Sequence, residues 1–110
     1  MTKDELSELL HECCDNVYDT ETANDDQNTC PRIVYWSYLW EYVMGSGQAM
    51  EDLRTYQISI WGKTPPEQNP VLSRVRQRLA EEGLYPQIKH EYVRDDKAFH
   101  SYFAVEAFEV

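Results

Sequence analysis

His90 and His100, with Glu91 and Glu106 close by in sequence, are the groups in this chain best suited to moving protons. An imidazole beside a carboxylate titrates near neutral pH and can act as a general acid or base. On two adjacent antiparallel strands these four residues could lie near one another. No nucleophile accompanies them: Ser7, Ser46, Ser73 and Ser101 stand in no G-x-S-x-G context, and there is neither a dinucleotide-binding glycine fingerprint nor an H-E-x-x-H pair. Gly62-Lys63-Thr64 lacks the upstream glycine of a phosphate-binding loop. Histidine and tyrosine on half-exposed strands ordinarily serve packing or surface. The expectation is a protein that is not an enzyme and needs no cofactor.

The metal-ligand chemistry is equally thin. His11, Cys13, Cys14 and Cys30 could be imagined around zinc, but they contain no C-x-x-C pair. Three cysteines, two of them adjacent, also make a poor disulfide framework, so free thiols packed on a helix face are expected. Asp15, Asp19, Glu21, Asp25 and Asp26 supply carboxylates for calcium, yet the D-x-[DN]-x-[DN]-G spacing with a distal Glu is missing. The expected number of metal ligands is none.

Charge excludes more than the motifs do. The chain has 110 residues, a single-domain length, and a formal charge of −10. The excess is concentrated at the front, where residues 1–31 hold nine acids against Lys3 alone; the remainder holds eleven acids and nine bases. Such a balance opposes specific binding to nucleic acid, whose affinity rests on neutralising phosphates, and opposes anionic membranes as well. No apolar run approaches the roughly 18 residues of a membrane span, and MTKDELSELL has no signal-peptide core, so a cytoplasmic protein is expected.

The elements that must position these residues can be read in order. Thr2 and Glu5 form a capping box that opens a helix from about Lys3 to Cys14, with Leu6, Leu9, Leu10 and Cys13 as its apolar stripe. The polar stretch that follows reads as a mobile acidic loop at about 15–30. Two long strands, from Arg32 and from about Asp52 to Trp61, fold back on each other through a loop holding the tip Gly45-Ser46-Gly47. Asn69 as cap and Pro70 at the first position start a second helix that ends at Gly83; it buries Leu72, Val75 and Leu79 and shows Arg74, Arg76 and Arg78 on its flank. Strands from Tyr85 to about Arg94 and from about Ala98 to Phe108 close the chain around the turn Asp95-Asp96-Lys97. The predicted fold is α+β, a single domain over 1–110. It has a four-stranded antiparallel sheet in helix-hairpin-helix-hairpin order (αββαββ) with both helices on one face.

The first hairpin carries all three tryptophans and half of the tyrosines. Strict alternation points Ile33, Tyr35, Ser37, Leu39, Glu41 and Val43 one way, and Val34, Trp36, Tyr38, Trp40, Tyr42 and Met44 the other. Both faces are apolar, and two helices can cover only one. Either a second subunit or partner covers the aromatic face, or a bulge near Ser37–Leu39 switches faces and keeps the rings inside. The arginine flank likewise reads either as a solvated face or as a contact for an acidic neighbouring subunit.

The stretches PRIVYWSYLWEY, TYQISIW, PVLSRVRQRLAEEGL and EYVRDDKAFHSYFAVE, in that order, resemble the tail-terminator (tail-completion) proteins of bacteriophages, prophages and phage-tail-like particles. The resemblance spans the whole chain but rests on loose patterns, and it leaves the acidic segment 15–30 without a counterpart. It implies a structural virion protein that caps the head-proximal end of the tail tube as a hexameric ring and ends tail polymerisation. It would act in the host bacterial cytoplasm during assembly and remain in the virion tail. The implied partners are other copies of itself, the tail tube protein and the head-tail connector protein, with no specific nucleic acid and no membrane. Trp36, Trp40, Tyr42, Met44, Arg74 and Arg78 are the candidate subunit-interface residues, and Gly45, Ser46 and Gly47 the candidate tip. The rival is a monomeric acidic protein-binding module, a nucleic-acid-mimicking decoy.

Overall fold

In a computed structural model of the chain, the residues described are 1–20, 30–45 and 47–109. Helix α1 (Lys3–Cys13) begins where the capping box places it: the Thr2 hydroxyl accepts a hydrogen bond from the Glu5 backbone N–H at 3.2 Å. Its stripe of Leu6, Leu9, Leu10 and Cys13 is buried.

The polar stretch after α1 contains a short strand, β1 (Val17–Asp19), which pairs in parallel with Ile33–Tyr35 of β2 (Arg32–Gly45). It is held at both ends, by Ile33 N–H to the Asn16 carbonyl (2.8 Å) and by Thr20 N–H to the Tyr35 carbonyl (2.7 Å). Lys3 reaches Asp19 across 3.1 Å, and that hydrogen bond raises the lysine above its ordinary pKa. The rest of the expected acidic loop, residues 21–29, lies outside the described residues.

Strand β2 pairs antiparallel with β3 (Gln48–Gly62), then come α2 (Pro65–Glu81), β4 (Lys89–Val93) and β5 (Ala98–Glu109). The sheet runs β1-β2-β3-β5-β4. The expected four-stranded antiparallel sheet in αββαββ order is therefore corrected to five strands in one mixed sheet, because β1 adds a parallel edge. Three residues in polar surroundings carry no period-2 pattern from which such a strand could be read.

Helix α2 starts earlier than Asn69. Thr64-Pro65-Pro66-Glu67 is itself a capping sequence: the Thr64 hydroxyl accepts from Glu67 N–H (3.4 Å), and the prolines take the first-turn positions that need no donor. Pro70 consequently lies inside the helix. The C-terminus follows the glycine rule: Gly83 has φ +78°, its N–H bonds the Ala80 carbonyl, and Leu84 N–H bonds the Leu79 carbonyl, both at 2.9 Å.

The two helices share one face of the sheet. Their stripes meet Ile33 and Tyr35 of β2, Tyr56, Ile58 and Ile60 of β3, and Phe103, Val105 and Ala107 of β5 in one buried cluster. Gln68, 3% exposed, donates its amide to the carbonyls of Ile60 (2.8 Å) and Phe99 (3.3 Å), fastening α2 to the sheet's end.

Candidate assembly surface

The β2–β3 ladder outruns everything that could cover it. β1 lies beside β2 only to Tyr35, β5 accompanies β3 only to the Asp52–Glu109 pair, and the described residues extend 50 × 29 × 22 Å. The outer part of the ladder, residues 39–45 and 48–54, forms a wing that is three strands wide as far as the Tyr42–Asp52 pair, with β5 at its side, and two strands wide beyond it.

Within β2, Ser37 pairs with Tyr56 and Leu39 with Thr55, so Tyr38 is an extra residue opposite none. A bulge of this kind reverses the alternation beyond it. Trp40 and Tyr42 thereby join the face of Ser37 and Tyr56, which is the helix side, whereas Leu39, Glu41 and Val43 join Trp36 on the open side. The tryptophan geometry agrees: Trp40 Nε1 donates to Ser37 Oγ at 2.8 Å, and Trp36 instead lies 6.1 Å from Tyr38, ring centre to ring centre. Trp36 and Trp40 thus occupy opposite faces, which corrects the expectation from strict alternation.

The bulge turns Trp40 toward the helix side without sheltering it, because the helices stop short of the wing. Trp40 remains 64% exposed, Tyr42 71% and Met44 62%, while Trp36 is 41% exposed on the other face. On the helix side the Arg54 guanidinium lies 4.0 Å above the Trp40 ring and pairs with Asp52 at 3.0 Å and Glu109 at 3.9 Å. Leu39 and Val43 are also exposed, and strict alternation gave no signal for placing them beside Trp36. Of the tip, Gly45 pairs with Gln48 and Gly47 has φ +77°, a conformation glycine adopts without strain; Ser46 lies outside the described residues.

Arg74 and Arg78 are not on the wing. Arg74 Nε donates to the Cys13 carbonyl at 3.0 Å, satisfying an end of α1, and Arg78 binds Glu12 at 2.9 Å and Glu81 at 2.6 Å. Both tie α2 to α1 within the chain, so the structure separates them from the aromatic residues with which the interface reading grouped them.

The histidines are brought to adjacent positions and turned apart. His90 pairs across the strands with Ser101, and Glu91 with His100. His90 Nδ1 lies 2.6 Å from Ser101 Oγ on the helix side, and His100 Nδ1 lies 2.8 Å from Glu91 Oε1 on the open side. Glu106 pairs opposite Thr55, away from both. The register also makes a row that local patterns do not disclose: Arg32, Trp61, His100 and Glu91 stand abreast on four strands. Arg32 sits 5.0 Å over Trp61, and Trp61 stacks on His100 at 4.2 Å. His100 Nε2 is closed to solvent and has no hydrogen-bond partner among the described residues, so this row packs its rings and offers no ring nitrogen to a substrate. Burial likewise pushes the thiols of Cys13, Cys14 and Cys30 above their ordinary pKa, away from activation as nucleophiles. Among the described residues no three of His, Cys, Asp or Glu converge as a ligand set, and no helix is long and apolar enough to cross a membrane.

What the arrangement offers is contact area: an uncovered ribbon with large apolar side chains on both faces. No protein-family model matches the chain, and no curated protein matches it.

Proposed function

We propose that this chain is a non-enzymatic virion assembly protein of the tail-terminator type. It closes into a ring of copies, hexameric as the resemblance implies, on the head-proximal end of a phage tail tube, ends tube growth there and presents a docking surface to the head-tail connector. The observation that carries the reading is the bare wing with Trp40, Tyr42 and Met44 exposed on one face and Trp36, Leu39 and Val43 on the other. A monomer keeps so much contiguous apolar surface in water only at a cost in solubility, whereas a ring covers it. The acidic balance of the chain suits a collar through which DNA must slide without sticking. In this reading the protein works in the host cytoplasm during assembly and stays in the tail.

The same wing argues against a monomeric nucleic-acid-mimicking decoy, whose recognition would rest on carboxylates and would gain nothing from exposed tryptophans. Size-exclusion chromatography with light scattering tests the proposal. The expected result is a discrete oligomer, either alone at high concentration or once tail tube protein is added. A strict monomer under both conditions would remove the proposal.

A further inference from the structure

A ring of identical copies needs two different patches on each copy, one for each neighbour. The wing supplies one. The other must lie elsewhere on the same copy, and its assignment rests on the ring reading above.

The sheet places the wing and β4 at diagonally opposite corners. The wing runs along the last residues of β5, and its tip projects past Glu109, on the β2 side; β4 pairs with the beginning of β5, Ala98–Tyr102, and forms the far edge. Beside that edge, between α2 and the segment Pro86–Ile88, runs a groove of about 410 Å³. Its apolar lining comes from Leu72, Pro86 and Ile88, and its polar lining includes Arg76 and His90. The Ser101 hydroxyl fixes the His90 ring through Nδ1, which leaves Nε2 for an outside partner. Arg76 has no ion pair among the described residues, although the chain holds twice as many acids as bases. Arg54, Arg78 and Lys3, by contrast, are paired internally.

The open face of the wing has the complementary chemistry. Leu39, Val43 and Leu53 form an apolar strip, and Glu41 and Glu51 stand in it by register, Glu41 opposite Leu53 and Glu51 opposite Val43. Neither carboxylate has an ion pair among the described residues. On the other face of the wing the charges are already balanced, Arg54 against Asp52 and Glu109. The uncompensated acids therefore select the open face.

We infer that the open face of one copy's wing docks in the groove between α2 and Pro86–Ile88 of the next copy, with Glu41 and Glu51 meeting Arg76 and His90. Apolar strip lies on apolar lining, and each patch neutralises charge that the other leaves unmatched. The aromatic face with Trp40 and Tyr42 is then left for the tube.

Charge exchange tests the pairing. Arg76→Glu, and separately the pair Glu41→Arg with Glu51→Arg, are made in the full chain, and assembly is followed by light scattering with tail tube protein present. All three positions are exposed, so thermal midpoints should match the wild type; Arg76→Gln serves if Arg76→Glu does not fold. Each charge reversal should weaken association by about tenfold or more, and the chain carrying all three changes should recover it. If the wild type assembles and Arg76→Glu or Arg76→Gln leaves association unchanged, the groove assignment is overturned while the ring reading stands. The groove assignment falls in the same way if both reversals weaken assembly and the combined chain fails to recover. A wild type that stays monomeric with tube protein overturns the ring reading and this inference together.

Discussion

The two halves of the β2–β3 hairpin are built from similar residues and live in different surroundings. At the base, Ile33, Tyr35, Tyr56, Ile58 and Ile60 lie under two helices and are almost wholly buried. Further out, Leu39, Trp40, Tyr42, Val43 and Met44 face water. Composition does not separate the halves; cover does. A ladder of backbone hydrogen bonds carries the ribbon beyond the core, and the helices end before it does. The base is thus committed to the chain's own stability, and the wing is free to serve contacts outside it.

The largest effect expected from disturbing this contrast is at the base. Ile58→Ala removes a side chain with 0% exposure and should destabilise the protein by about 2–5 kcal/mol, measured by urea unfolding. A loss below about 1 kcal/mol would mean that the base is as loosely covered as the wing.

At the seam stands Tyr56, opposite Ser37, with its hydroxyl donating to Glu109 Oε2 at 3.1 Å. Tyr56→Phe should cost about 1–2 kcal/mol at neutral pH. Burial first, and then the Glu109 hydrogen bond and charge, raise the phenol above its ordinary pKa of 10.0. The sign follows from proton counting. The folded state keeps the proton while the unfolded chain loses it, so this contribution is complete below about pH 10 and declines as pH rises further. Unfolding curves for wild type and Tyr56→Phe should accordingly converge at alkaline pH. Curves that stay parallel would place the phenol in water.

The smallest effect on the monomer belongs to the wing. Trp40→Ala loses chiefly the contact with Arg54 and should change stability by less than about 1 kcal/mol, while assembly on tube protein falls sharply. Destabilisation as large as that of Ile58→Ala would make the wing part of the core.

How much of this was legible follows from what each feature depends on. The capping box at Thr2, the stripe from Leu6 to Cys13 and the glycine at position 83 are local signals, and they stand where the sequence places them. The start of α2 was equally local, but Thr64-Pro65-Pro66-Glu67 competed with Asn69-Pro70 and prevailed by offering a complete cap. Strand β1 depends on a partner at Ile33–Tyr35, a non-local pairing invisible in a polar stretch. The row from Arg32 to Glu91 depends on register across four strands, which no single window contains. The exposure of the wing was inferable from a shortage of cover; the sorting of its residues between faces was not, because one unpaired residue reverses it.

That residue, Tyr38, has a consequence for how such a surface can change over generations. Loss of its single codon would restore the uninterrupted alternation and leave both sets of wing side chains on the faces they now hold, because their partners on β3 already follow one another without a gap. Trp40 and Tyr42 would stay on the helix side, and Leu39, Glu41 and Val43 on the open side. The strands would still pair, and every buried position before Ser37 would keep its place. One deletion could thus remove the bulge while neighbouring molecules still meet the same two faces, carried on the same body.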